Sequence, residues 1–211
     1  MSPYPVLYTF RRCPFAIRAR MALRYANVTV RIREVELKNK TAAMLEASAK
    51  GTVPILQLTN GLVIDESMEI MYWALTRSDP DSWLKEGNQE TTKQWIATND
   101  LKFKPLLDNY KYPQRSDQQD PIFYRNQSMP YLLSLNNALS QHQWILGEHM
   151  GLVDVALFPF IRQFAMVDSD WFWNTSLPRL QEWLQCLLDT ELFSSVMKKY
   201  QPWNGEEEPL L

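Results

Sequence analysis

Cys13 is the residue whose type and setting most invite chemistry. It stands in "YTFRRCPFAIRARMAL" (Tyr8 to Leu23), directly before Pro14 and among arginines, in a chain with two cysteines. Proline is favoured at the first position of a helix, so the string places Cys13 at a helix start. A thiol there faces backbone N–H groups and the positive end of the helix dipole, and Arg11 and Arg12 add positive potential. Each effect favours the thiolate, which is the nucleophile. The alternative is a small apolar core residue, the usual role of a cysteine outside a disulfide. "CPFA" also lacks the second cysteine of a C-x-x-C motif. A disulfide formed by Cys13 therefore has no neighbour at that spacing to resolve it.

The elements that must position this thiol follow from the pattern. "PVLYTF" (Pro5 to Phe10) reads as a buried strand, and Pro14 to Ala26 as a helix. "VTVRIREVEL" alternates at Val28, Val30 and Ile32, the period of a half-buried strand. Thr41 to Ala49 is rich in helix formers. "VPILQL" and "LVID" flank Thr59-Asn60-Gly61, a hairpin signal because Asn and Gly tolerate positive φ. Glu66 to Arg77 is helical again. The order βαβαββα predicts a mixed sheet, its first two strands parallel and its last two an antiparallel hairpin. That is the order of a thioredoxin-like domain, assigned to residues 1–78, with its site where the first strand meets the first helix.

"SDPDSWLKEGN" reads as a linker over 79–88. Residues 89–211 read as an all-helical domain, with breaks or kinks expected at Pro105 and Pro130 and a buried central helix at "GLVDVALFPFIRQFAMV". The fold class is thus an α/β domain followed by an all-α domain. Cys186, among leucines in "EWLQCLLDTELF", is assigned to the core, and "GEEEPLL" to a solvated tail.

Composition narrows the function classes. The chain has 211 residues, 45% hydrophobic and 22% charged, with a formal net charge of −2. It carries no basic field to collect nucleic acid or anionic lipid. No apolar run approaches the ~20 residues of a membrane span, and the N-terminus does not read as a signal peptide. The two cysteines suggest no disulfide framework, which favours a reducing, cytoplasmic setting. His142 and His149 have no cysteine or acidic cluster around them, so no metal site is expected. The thiol that resolves a Cys13 disulfide must come from outside, and glutathione is the obvious intracellular one.

"RRCPFAIRAR", "LKNK", "GTVPIL" and "IDESMEIM", followed by "DVALFPFIRQF", stand in this order and spacing before the helical half. In that combination the chain resembles the cytosolic glutathione transferases, in their cysteine-type, omega-like branch and its bacterial members. The resemblance implies that Cys13 is the catalytic thiol, forming a mixed disulfide with the co-substrate glutathione. It implies that Phe15 lies beside glutathione and that Lys40 reaches the glycyl carboxylate. It implies a cis Val53-Pro54 bond, with the Val53 backbone pairing to the cysteinyl backbone of glutathione. Glu66 and Ser67 would take the γ-glutamyl ammonium and carboxylate. On the residues alone, Phe15 reads equally as a buried helix start and Lys40 as a solvated lysine. Pro54 reads as the start of an edge strand, and Asp65, Glu66 or Ser67 as helix caps.

The function so implied is glutathione-dependent thiol transfer, acting on small or protein-bound disulfides or on dehydroascorbate, in a homodimer. Conjugation of glutathione to electrophiles is the alternative, and a non-catalytic regulatory module of this fold is the rival from another class. Tyr8 reads as packing inside the first strand. One departure concerns Gly151 in "GLVD", where the family has Ser or Thr three residues before Asp154. Glycine cannot supply the hydroxyl of a capping box.

Overall fold

The computed structural model describes residues 3–87, 89–115, 120–206 and 208–211. The chain forms two compact units, one of Met1–Pro80 with Thr190–Leu211 and one of Asp81–Asp189.

The first unit is built on β1 (Val6–Thr9), α1 (Pro14–Tyr25), β2 (Arg31–Glu34), α2 (Ala42–Ala47), β3 (Ile55–Gln57), β4 (Val63–Ile64) and α3 (Ser67–Leu75). The sheet order is β2-β1-β3-β4. β1 runs parallel to β2, with Leu7 opposite Ile32, and antiparallel to β3, with Leu7 opposite Leu56. β3 and β4 form the expected hairpin, closed by Gly61 at φ +87°. The βαβαββα order of the thioredoxin-like fold is therefore present. β1 is buried throughout because both its faces are covered, and its one hydroxyl-bearing aliphatic residue, Thr9, is met by Arg20. Val6 and Tyr8 pack with Met44 of α2 and with Val53 and Ile55 on one side. α1 packs against α3, and Ala16, Ala19 and Ala22 of α1 and Ala74 of α3 are fully buried.

The end of the chain departs from expectation. "GEEEPLL" keeps Gly205, Glu206, Pro209 and Leu210 exposed, as expected of a tail, but its backbone is docked; Glu207 lies outside the described residues. α11 (Glu191–Val196) packs on α1, and the segment after it runs antiparallel along the outer edge of β2. Trp203 N–H donates to Glu34 O at 2.9 Å, Ile32 N–H to Pro209 O at 2.8 Å and Leu211 N–H to Val30 O at 3.0 Å. Glu208 pairs with Arg31 and Arg33, and the Arg33 guanidinium stacks 3.9 Å from the Trp203 ring. An edge strand presents a row of backbone donors and acceptors, and the tail satisfies them. So the last 22 residues, expected with the helical domain, belong to the first unit.

The second unit contains α4 (Trp83–Gly87), α5 (Glu90–Thr98), α6 (Lys104–Lys111), α7 (Pro121–Ala138), α8 (Leu152–Ala165), α9 (Ser169–Trp173) and α10 (Pro178–Leu188). Part of the predicted linker is thus helical. Trp83 is 1% exposed and its indole N–H donates to Met150 O, while Asn88 lies outside the described residues. No break occurs at Pro105. A π-helical segment, Asn99–Phe103, joins α5 to α6, and Pro105 stands in the first turn of α6, where a missing N–H is tolerated. Cys186 is exposed, contrary to its core assignment, because the buried face of α10 is set by Leu180, Trp183, Leu184 and Leu187. Among the described residues no helix is long and apolar enough to cross a membrane.

α8 is the buried centre of this unit, and only its Arg162 and Gln163 escape full burial. Its N-terminus is held by two carboxylates. Asp154 accepts from Gly151 N–H at 3.0 Å, Ile145 N–H at 3.1 Å and Trp183 Nε1–H at 2.7 Å. Glu86 of α4 accepts from Val153 N–H at 3.1 Å. A Cβ on Gly151 would lie 1.7 Å from Glu86 Oε2. The glycine therefore makes room for a remote carboxylate that does the work of the absent hydroxyl.

Glu86→Ala is expected to lower stability by about 1–2 kcal/mol in chemical denaturation, the range of a lost helix cap. Adding Gly151→Ser to that variant should recover part of the loss, whereas Gly151→Ser alone should recover nothing. A second expectation concerns pH. Burial, reinforced by the charge of Glu86, pushes the Asp154 carboxyl up to about 6 against the pull of its three donors. A raised carboxyl binds its proton more tightly in the folded chain, so its contribution to stability falls as pH rises from about 4 to about 6. The stability advantage of wild type over Asp154→Asn should shrink across that window, by up to about 3 kcal/mol, and level off above it.

Candidate functional site

Cys13 sits between the end of β1 and the start of α1, as the cap residue of the helix. Its N–H donates to Phe10 O at 3.0 Å, and its carbonyl accepts from Ile17 N–H at 2.9 Å. Pro14 opens the helix. The half-buried Sγ lies 3.7 Å from Val53 O, within reach of a thiol hydrogen bond.

The loop that presents the thiol is clamped from beneath by Arg20, a residue that periodicity placed among the interspersed arginines of α1. Arg20 is only 2% exposed. Its guanidinium donates to Thr9 Oγ1, to Arg11 O at 2.8 Å, to Phe10 O at 3.4 Å and to Val196 O at 3.0 Å. Burial lowers the guanidinium to about 10, while the negative charge of Glu34 pulls the other way. It stays cationic at neutral pH. Glu34, itself raised by burial, fixes the loop from the other side by accepting from Arg11 N–H at 2.7 Å. Arg12, by contrast, is exposed with its guanidinium 5.7 Å from the Phe10 ring. The positive charge that structures the loop thus comes from a residue seven positions after the thiol.

Cys13 opens onto a cavity of about 450 Å³. Phe15, Lys40, Val53, Pro54, Glu66 and Ser67 all line it, so every residue singled out in the sequence meets there. The Val53-Pro54 bond is cis. Gly51 lies beside it at φ +61°, and a Cβ there would come within 3.3 Å of Lys40 Nζ and 3.2 Å of Leu45 Cδ2. Glu66 holds the cap position of α3 but makes no cap hydrogen bond, and Ser67 is the first residue of the helix.

Three further residues escaped sequence reasoning. Arg18, 2% exposed, donates from Nε to Ser67 Oγ at 3.0 Å and lies 5.0 Å from the Phe15 ring. Its three-residue spacing from Phe15 is the signal that could have revealed it. Lys50 reaches Asp65 Oδ1 at 2.9 Å and Glu66 Oε1 at 2.7 Å. Ser48 donates to Asp65 Oδ2 at 2.6 Å, and this bond, with Lys50, holds the Asp65 carboxyl below its ordinary value.

Two crevices of similar size lie elsewhere, one beside Cys186 and His142 and one along the terminal segment. Neither gathers the residues above. His142 Nδ1 lies 2.8 Å from Glu148 Oε1, and among the described residues no group of three or more candidate metal ligands forms.

Gly51→Ala is expected to cost about 1–2 kcal/mol, since the left-handed conformation is unfavourable for any residue with a Cβ. Denaturant midpoints would measure it. A Gly51→Ala chain as stable as wild type would show that this turn relaxes freely.

The arrangement matches known proteins in both halves. The glutathione S-transferase N-terminal domain profile matches residues 7–82, and the glutathione S-transferase C-terminal domain profile matches residues 124–186. Mouse glutathione S-transferase omega-1 is 23% identical over 196 residues, covering 90% of this chain and 78% of that protein. Glutathione S-transferase U28 of Arabidopsis thaliana is 24% identical over 185 residues, covering 84% of this chain and 81% of the relative. Among solved structures, a glutathione S-transferase from Methylobacillus flagellatus with glutathione bound superimposes with a TM-score of 0.77. It is 17% identical, over 91% of this chain and 98% of that one. With both domain profiles matched in order on the fold they describe, the chain belongs to the glutathione S-transferase superfamily.

Proposed function

We propose that the first unit binds glutathione and that Cys13 uses it for thiol transfer, in a reducing cytoplasmic setting. The observation that carries this reading is the convergence of Cys13, Lys40, Val53, Glu66 and Ser67 on one cavity, with Sγ at its wall. Solved relatives described with glutathione bound support the choice of ligand. The positive end of α1 and the nearby Arg20 stabilise negative charge on Sγ.

The thiolate attacks the glutathionyl sulfur of a mixed disulfide. The substrate S–S bond breaks, its electron pair leaves with the product thiolate, and that thiolate takes a proton from water. A second glutathione thiolate then attacks the glutathionyl sulfur held on Cys13. This step restores the Cys13 thiolate and releases glutathione disulfide. One disulfide is consumed and one is formed. Val53 offers backbone groups to the cysteinyl part of glutathione, Lys40 a cation to the glycyl carboxylate, and Glu66 with Ser67 a zwitterion-binding pair.

The decisive assay is glutathione-dependent reduction of a small mixed disulfide by wild type and Cys13→Ser. Wild type should turn over, and the variant should lose roughly 1,000-fold or more, as removal of a nucleophile does elsewhere. Equal rates in the two proteins would overturn the reading. Conjugation of an aryl halide that persists in Cys13→Ser while disulfide reduction is absent from both would point to the conjugating alternative.

A further inference from the structure

Lys50 stands where a ligand cation would be expected. Its Nζ lies 2.7 Å from Glu66 Oε1 and 2.9 Å from Asp65 Oδ1, bridging the segment before the cis proline to the start of α3. The hydrogen bonds to Glu66 and Asp65 raise the ammonium well above the usual lysine range. The same contacts, after that of Ser48, lower Asp65. One ammonium is thus held between two carboxyl groups. On the reading proposed above, Glu66 receives the α-ammonium of the γ-glutamyl group, and Ser67 receives the α-carboxylate. Lys50 presents the same chemical group, a primary ammonium, to the same carboxylate before any ligand arrives.

We propose that Lys50 is a specificity-determining residue of this site: its ammonium competes with the ligand's α-ammonium for Glu66 while attracting the ligand's α-carboxylate. The inference rests on the glutathione-binding reading. Two cations on one carboxylate repel each other, so an α-ammonium is worth less to this site than to one without Lys50. A ligand that keeps the carboxylate and lacks the amine avoids the conflict. The site is thereby biased toward γ-linked thiol peptides whose terminal amine is missing or acylated, relative to glutathione itself. Both partners of the ion pair are open to water, with side chains 51% and 61% exposed for Lys50 and Glu66. Solvent screening keeps such pairs weak, so the expected effect is about two- to five-fold in affinity.

The test is equilibrium binding of S-methylglutathione and its des-amino analogue, both unable to exchange disulfides with Cys13. Wild type, Lys50→Met, Lys50→Gln and Lys50→Arg are compared by calorimetry at low and high salt. In Lys50→Met and Lys50→Gln, S-methylglutathione should bind about two- to five-fold tighter at low salt. The des-amino analogue should bind no tighter than to wild type. Lys50→Arg should keep the wild-type ratio, and high salt should shrink the difference. If both ligands change by the same factor, Lys50 merely braces the loop and the competition is overturned. If S-methylglutathione binds to none of the proteins, the glutathione-site reading fails, and this inference falls with it.

Discussion

The buried guanidinium of Arg20 is the constraint on which the geometry around Cys13 depends. A cation removed from water is tolerated only when its donors are met. The donors of Arg20 are met by the side chain of Thr9 and the carbonyls of Phe10, Arg11 and Val196. The first three belong to the end of β1 and the turn before the thiol. That turn can therefore not relax without leaving buried charge unsatisfied. The fourth belongs to α11, near the far end of the chain. One side chain thus binds the sequence start to the sequence end and holds the thiol at the helix N-terminus between them.

Arg18 plays the complementary part on the same helix. Two residues apart on an α-helix means roughly opposite directions, so Arg18 and Arg20 serve different neighbours. Arg18 meets Ser67 and Phe15, while Arg20 meets the turn before Cys13. α1 therefore does more than carry Cys13 at its tip. It orients the first residue of α3 on one side and the thiol turn on the other, so the two ends of the cavity share one rigid support. α1 and α3 pack directly against each other, so the guanidinium of Arg18 spans the gap to Ser67.

How much of this could be read in the chain depends on how local each signal is. The strand–helix order, the hairpin at Asn60-Gly61 and the helix start at Pro14 are written in adjacent residues, and all appear in the fold. The candidate residues that line one cavity could be picked out because four short strings occur together in a characteristic order. Long-range pairings left no such trace. Arg18 and Arg20 look like solvated arginines, because period alone cannot show that a neighbouring helix or the terminal segment will cover them. "GEEEPLL" looks soluble by composition, and only the exposed edge of β2 explains why it docks. Cys186 failed for another reason: leucines one or two positions away lie roughly 100–160° around a helix, so an apolar context does not prove a buried position.

Position 16 decides what kind of disulfide chemistry the thiol-transfer reading permits. A C-x-x-C pair places its second cysteine three residues after the first. Here that place holds Ala16, fully buried where α1 meets the core. Cys186 belongs to the other unit, so Cys13 is the one cysteine among the described residues of its own. Within this unit a mixed disulfide on Cys13 has no internal thiol to discharge it. On the thiol-transfer reading the cavity must then admit a second small thiol, and Cys13 lines an open cleft in which one can approach.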